Sequence, residues 1–282
     1  MEKANTLATV KGVGRVVEVS RNFYDNLNAL RENFAKVISG RQEAIARMET
    51  AGTENIGRSY GTYLNSGFEY AKGQMPVLRL KSRLLDPKLA RLAVEANKQS
   101  RYFSTGDTQF YEESLKQAEK EVKEGREPWK RQVIVMLSRD LFAIKSDKNF
   151  DVLEFELRDP KLAKQYFEFN GSNPMNVYLV DKSTVDVQDG TLLTQVWFWN
   201  LGNRSDVIGG SRFLSNAYRV RGVLPTAEGR TQKIPSSIKS EPYTPKQVGK
   251  IYDLIQGVKE GKLPASKLEK ALSFLESLRG KN

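Results

Sequence analysis

The side chains through which this sequence could do chemistry are carboxylates, lysines, arginines, tyrosines and tryptophans, because its 282 residues include no histidine and no cysteine. Without imidazole the commonest general base and metal ligand is missing, which excludes Ser-His-Asp hydrolases, zinc deaminases and histidine-dependent nickases. Without thiols there are no disulfides, thiolate nucleophiles, zinc fingers or iron–sulfur clusters. Acidic groups are then the only route to a metal. Asp181, Asp186 and Asp189 fall close together, and Glu154 and Glu156 alternate along a segment that reads as a strand. Two carboxylates on one face could hold magnesium, a hard ion that prefers oxygen. No lysine stands convincingly beside such a pair, and the plainer reading is solvent-facing side chains on half-buried strands. No metal, no cofactor and no catalytic residue are expected.

The known phosphate and nucleophile motifs are also missing. Gly257 to Leu263 departs from the phosphate-loop spacing and lacks its hydroxyl, Gly12-Val13-Gly14 has no third glycine, and no G-x-S-x-G elbow occurs.

The basic and aromatic residues are better placed. Net charge is +11, and two windows account for it. Residues 76–104 carry Arg79, Lys81, Arg83, Lys88, Arg91, Lys98 and Arg101 against Asp86 and Glu95. Residues 204–250 carry Arg204, Arg212, Arg219, Arg221 and five further cations against Asp206, Glu228 and Glu241. Clustered positive charge favours a polyanion partner. Trp197 and Trp199 alternate on one predicted strand, and Arg219 and Arg221 alternate on the next. If those faces coincide, indole rings stand beside phosphate-binding guanidiniums, which suits single-stranded DNA or RNA with little sequence preference. The candidate contacts are Trp197, Trp199, Arg212, Arg219, Arg221, Arg79, Lys81 and Arg83. Tryptophans on a strand more commonly fill a core or a subunit interface.

The elements that would position these residues are mixed. Thr6 to Val19 reads as β with a turn at Gly12 and Gly14. Ser20 then caps a long helix, because Phe23, Leu27, Leu30, Phe34, Val37, Arg41, Ala44 and Met48 step by four and three as in a heptad seam. A hairpin is expected over Tyr60 to Tyr70, a strand over Val77 to Leu80, and a helix from Asp86-Pro87 to about Gln99. Asp107 caps another helix that closes at Gly125. Gln132 to Lys145 reads as a buried strand or hairpin, and Phe150 to Leu157 as an alternating strand. Asp159-Pro160 opens a helix to Phe169. Asn176 to Val187 and Thr191 to Asn200 form a hairpin about Asp189-Gly190, and Ser211 to Leu224 is the last strand region. Leu84 to Arg91 echoes Leu157 to Lys164, the pattern a duplicated strand–turn–helix unit would leave.

The expected fold is α+β: a central, mainly antiparallel sheet or small barrel, a long N-terminal helix and a C-terminal helical hairpin. Its parts are residues 1–51 (strand and helix), 52–225 (core), 226–244 (a basic, Pro- and Ser-rich linker) and 245–282 (the hairpin). The functional expectation is a non-enzymatic protein that associates with nucleic acid. The alternative is a structural subunit of a larger complex such as a virus or phage particle, self-associating or meeting a partner protein through the Phe23–Met48 helix and the C-terminal hairpin. Residues 1–14 hold no apolar run of signal-peptide length, and the longest apolar run, Val133 to Leu137, is far too short for a membrane span. The expected setting is therefore a cell interior or a virus particle, without a membrane and without a disulfide-stapled secreted fold.

Overall fold

The chain opens with a hairpin, because Gly12 takes φ +74° and lets the backbone reverse between β1 (Asn5–Val10) and β2 (Gly14–Arg21). After it come α1 (Phe23–Glu32), the two-residue β3 (Lys36–Val37) and α2 (Gly40–Glu49). The middle of the chain supplies β4 (Thr62–Tyr63), β5 (Gly67–Ala71), β6 (Val77–Arg79), α3 (Pro87–Lys98), β7 (Phe103–Ser104) and α4 (Gln109–Lys123). Beyond these lie β8 (Val133–Val135), β9 (Phe142–Ile144), α5 (Phe150–Leu157), α6 (Pro160–Phe169) and β10 (Met175–Tyr178). The described chain closes with α7 (Lys182–Asp186), β11 (Thr191–Leu193), β12 (Trp197–Leu201), β13 (Arg204–Ile208) and β14 (Tyr218–Leu224). This computed structural model describes residues 4–51, 56, 61–195, 197–201, 204–209 and 214–224. The chain divides into units 1–229 and 230–282, and all described residues belong to the first.

The fold is α+β with antiparallel sheets, but the strands build two sheets, not one. The nine-stranded sheet runs β1-β2-β14-β4-β12-β13-β10-β9 with β3 also on β14, and the five-stranded sheet runs β7-β11-β5-β6-β8. Among the described residues only the β10–β13 and β14–β4 pairs are parallel. Helices α2, α5 and α6 lie over the largest core cluster, which includes Leu64, Phe155, Tyr166 and Val177. Helices α1 and α3 close a second cluster around Phe23, Leu30, Tyr63 and Val220. Helix α4 packs Tyr111 and Ala118 on Val77 and Val133 of the smaller sheet.

Several expectations are corrected. No long N-terminal helix forms. Asn22, not Ser20, caps α1, and the chain leaves the helix at Phe34, which sits at φ +57° with its ring 86% exposed. Ala35 to Ile38 then cross to pair with β14, and Ser39 starts a new helix with a capping box to Gln42. The heptad seam is thus split between two cores, with Phe23, Leu27 and Leu30 in one and Ala44 in the other. Phe150 to Leu157 is helix, and its alternation marks burial on nearly every side: Val152, Leu153, Phe155, Glu156 and Leu157 are all buried. Two expected hairpins, and the segment Gln132 to Lys145 expected as a strand or hairpin, are instead crossings between sheets. Strands β4 and β5, β8 and β9, and β10 and β11 each fall one to a sheet. The echoed segments share their Asp-Pro helix start, but the second copy follows a helix rather than a strand, so no duplicated strand–turn–helix unit is present. The linker and the C-terminal hairpin lie outside the described residues.

Candidate functional site

The arginines expected on a basic surface are the natural starting point, and several point inward. Arg221 stands on β14 directly across from Glu18 on β2. It is 0% exposed. Its Nε donates to Glu18 Oε2 at 3.3 Å, and its Nη1 reaches Glu43 Oε1 on α2. Glu43 also accepts from Arg47 Nε, one helical turn on, at 2.8 Å. Arg47 Nη1 in turn donates to the Tyr166 hydroxyl at 3.4 Å. Burial pushes the Glu43 carboxyl up, but the guanidiniums of Arg221 and Arg47 outweigh it and hold the group below the ordinary carboxylate range. Arg219, half-exposed, lies 3.6 Å from Glu18 Oε1.

A second cluster takes up two more. Glu69, buried on β5, has Arg83 Nε at 2.9 Å and Arg79 Nε at 3.6 Å, and Ser114 of α4 donates to its other oxygen. Arg83 continues to Glu113 at 2.8 Å and lies over the Phe110 ring, 4.2 Å from its centre. Here burial wins and raises the Glu69 carboxyl above its usual value, although Ser114, Arg83 and Arg79 pull the other way. Of the five described basic candidates in or next to β6 and β14, Arg221 is enclosed, Arg219 is half-exposed beside Glu18, and Arg79 and Arg83 share one buried carboxylate. Lys81 alone in the 79–83 stretch is exposed.

The tryptophan and arginine rows alternate rather than coincide. Strand β4 separates β12 from β14. Trp197 is in register with Tyr63, and Tyr63 with Val220. Arg219 and Arg221 therefore fall in the rows on either side of the Trp197 row. For Trp197 and Trp199 the backbone alone is described, and Arg212 lies outside the described residues.

The carboxylates weighed as magnesium ligands hold backbone and side chains. Asp181 caps α7 through the Ser183 N–H at 2.9 Å. Asp186 pairs with Arg139 and accepts from the Gly73 N–H at 3.1 Å. Glu156 is buried on α5, where the Ser66 hydroxyl donates to it at 2.7 Å and the Gly40 N–H also donates. Gly40 is required there, because a Cβ would lie 2.5 Å from Glu156 Oε1. Burial, only partly offset by those donors, lifts the Glu156 carboxyl to about 7. Among the described residues no group of three His, Cys, Asp or Glu could hold a metal ion, and no helix is long and apolar enough to cross a membrane.

An apolar surface was not anticipated from the sequence. Between β8 and β9 the loop exposes Leu137 (79%) and Leu141, and the Arg139–Asp186 ion pair ties that loop to α7, beside the exposed Val187 (75%). One residue past the Val177–Phe142 pair, Tyr178 on β10 and Leu141 continue the same row, and Tyr178 is 40% exposed. The loop borders a cleft of about 490 Å³ whose walls include Ile134, Met136, Phe142 and Val152. Leu137 ends the run Val133 to Leu137, which reads as buried. Its exposure follows from the chain leaving β8 for the other sheet, which no local pattern announces.

What the fold and these surfaces define is a mixed α+β protein with internally paired arginines and an exposed apolar corner. No family model, curated protein or solved structure matches the chain.

Proposed function

We propose that this chain is a non-enzymatic subunit that works by association, joining other protein chains in a larger assembly. The observation that supports this most directly is the pair of exposed leucines, Leu137 and Leu141, lining the 490 Å³ cleft, with exposed Tyr178 and Val187 on the neighbouring β10 and at the end of α7. Large apolar side chains gathered on a surface lose free energy in water and gain it when a partner covers them. The Arg139–Asp186 pair holds the loop in place, so little ordering cost remains to be met on binding. The test is the mass of the full chain in solution by sedimentation across a wide concentration range. The expected result is concentration-dependent association that Leu137→Asp with Leu141→Asp abolishes without moving the unfolding midpoint. A constant monomer mass overturns the reading.

A second reading, association with single-stranded nucleic acid, rests on α3. Lys88, Arg91 and Lys98 are exposed on one helix face, with exposed Lys81 and Arg101 near its ends. Among the described residues only Lys98 of these has a carboxylate partner, Glu95 at 2.8 Å. Such a stripe supplies phosphate contacts without sequence choice. Binding to a labelled oligonucleotide should weaken with a log–log salt slope of roughly −0.7 per phosphate contact, and Lys88→Glu with Arg91→Glu should flatten it. A flat response in the unmodified chain counts against this reading. The two roles are compatible in a particle subunit whose basic face lines a nucleic-acid-filled interior.

A further inference from the structure

Helix α1 ends in a Schellman turn. The Phe34 N–H donates to the Arg31 carbonyl at 2.9 Å and the Ala35 N–H to the Leu30 carbonyl at 2.8 Å, with Phe34 in the left-handed conformation at φ +57°. Glycine or asparagine is usual at that position, because a larger side chain there crowds the backbone. The apolar contact that accompanies such a turn is supplied by Leu30 and Ala35, both in the core. The Phe34 ring lies outside it. At 86% it is the most exposed large hydrophobic side chain among the described residues. An aromatic held in this way costs the fold both strain and hydration, the combination expected of a side chain kept for a ligand.

The surroundings of the ring select the ligand. At the C-terminal end of α1, Arg31 Nη2 donates to the Leu85 carbonyl, just before α3, at 2.8 Å. At the N-terminal end, the Phe23 N–H donates to the Leu214 carbonyl, and the Leu214 N–H to Asn97 Oδ1 of α3. The two helices are therefore antiparallel, and Phe34 emerges at the end of α3 where the basic stripe begins. Arg31 and Lys36 flank the ring along the chain, and Lys81, Lys88 and Arg91 are exposed before and along α3. The carboxylates nearby are largely taken up. Asp86 accepts from the N–H groups of Lys88 and Leu89, and Glu95 pairs with Lys98, which leaves Glu32.

We infer that Phe34 is the stacking platform of a single-stranded nucleic-acid interface, taking an unpaired base on its ring while the cations of α3 hold the phosphates beside it. The inference rests on the nucleic-acid reading above and adds what a basic stripe lacks, a reason to choose single strands over duplex. A duplex keeps its base faces in the stack, whereas a single strand can lay one on an exposed ring. Cations gathered about an aromatic favour a polyanion over an apolar protein partner.

The test measures binding of the full chain to a labelled oligothymidylate and to a duplex of equal length over a range of salt. Phe34→Asn is the variant to compare, because asparagine accepts the left-handed conformation and should leave the fold intact, which circular dichroism checks. It should bind the single strand about tenfold more weakly. Its salt slope should not change, because no charge is lost, and neither should its affinity for duplex. Phe34→Trp should bind the single strand at least as tightly as the unmodified chain. Unchanged single-strand affinity in Phe34→Asn, or equal weakening on single strand and duplex, overturns the inference. A shift in sedimenting mass without a change in oligonucleotide affinity also overturns it, and makes the ring a protein contact. If Lys88→Glu with Arg91→Glu abolishes binding and Phe34→Asn leaves it unaltered, the nucleic-acid reading stands and the stacking role falls. If the unmodified chain binds no oligonucleotide, both fall.

Discussion

Two carboxylates that meet the first turn of α2, Glu43 from α2 itself and Glu156 from α5, are buried alike and shifted in opposite directions. Glu43 on α2 is 1% exposed and Glu156, against the first residue of α2, is 4% exposed. Burial pushes both up. At Glu43 two guanidiniums reverse the effect, while Glu156 has only a hydroxyl and an N–H as donors and ends near 7. The contrast shows that desolvation is decided by whether full opposite charges come inside with the group, because neutral donors stabilise a carboxylate less than a cation does. It also explains where part of this chain's basic excess goes: Arg47 and Arg221 carry their charge into the core to meet Glu43.

The largest expected effect comes from breaking the enclosed pair. Arg221→Met keeps most of the side-chain volume but removes one of Glu43's two cations and a partner of Glu18. Removing one member of a buried ion pair costs about 3–5 kcal/mol, and urea unfolding at neutral pH should show a loss of that order. A loss under about 1 kcal/mol would mean that water reaches the pair. Glu156 sharpens the comparison from the other side. Its folded value of about 7 lies above the ordinary unfolded carboxylate value, so the folded state binds its proton more tightly. Stability from this group is therefore fully present in acid and is lost as pH rises towards and through 7. Glu156→Gln removes the penalty and should stabilise the protein above pH 7 by about 2–3 kcal/mol, flattening that part of the pH profile. Unfolding midpoints of both proteins across the acid-to-alkaline range decide it, and equal slopes would refute the shift.

Local signals carried the sequence reading well where a structure is made locally. Asp86-Pro87 and Asp159-Pro160 begin helices as expected, each Asp accepting from the two N–H groups that follow its proline. The Ser39-x-x-Gln42 capping box, a local signal that the heptad reading of Phe23 to Met48 passes over, marks the break in the expected long helix. Partner choice was not legible. Gly190 takes φ +75° at a good turn pair, yet the strands before and after it join different sheets. Arg219 and Arg221 alternate on β14, and both approach Glu18. Their face turns inward at Arg221 because its partners wait 203 and 178 residues away in sequence. Spacing along one strand cannot reveal charges that distant. The apolar corner at Leu137 escaped for the same reason.

The smallest effect tests whether enclosure, and not bond length, separates strong pairs from weak ones. Arg83 Nη2 meets Glu113 Oε2 at 2.8 Å, the same separation as Arg47 Nε from Glu43 Oε1. The Glu113 side chain is 47% exposed, however, and that of Glu43 is 2% exposed. The Gln109 amide, the Arg83 hydrogen bond and its charge together hold Glu113 below the usual carboxylate range, but water on its open side screens most of that attraction. Glu113→Gln keeps an acceptor for Arg83 and leaves Glu69 to neutralise it, so the loss in urea should be below about 0.5 kcal/mol and should vanish at high salt. Glu43→Gln, measured alongside, should cost several times more and respond little to salt, because ions cannot enter to screen it. Equal losses from the two substitutions would show that the distance common to both pairs, and not the protein around them, sets their strength.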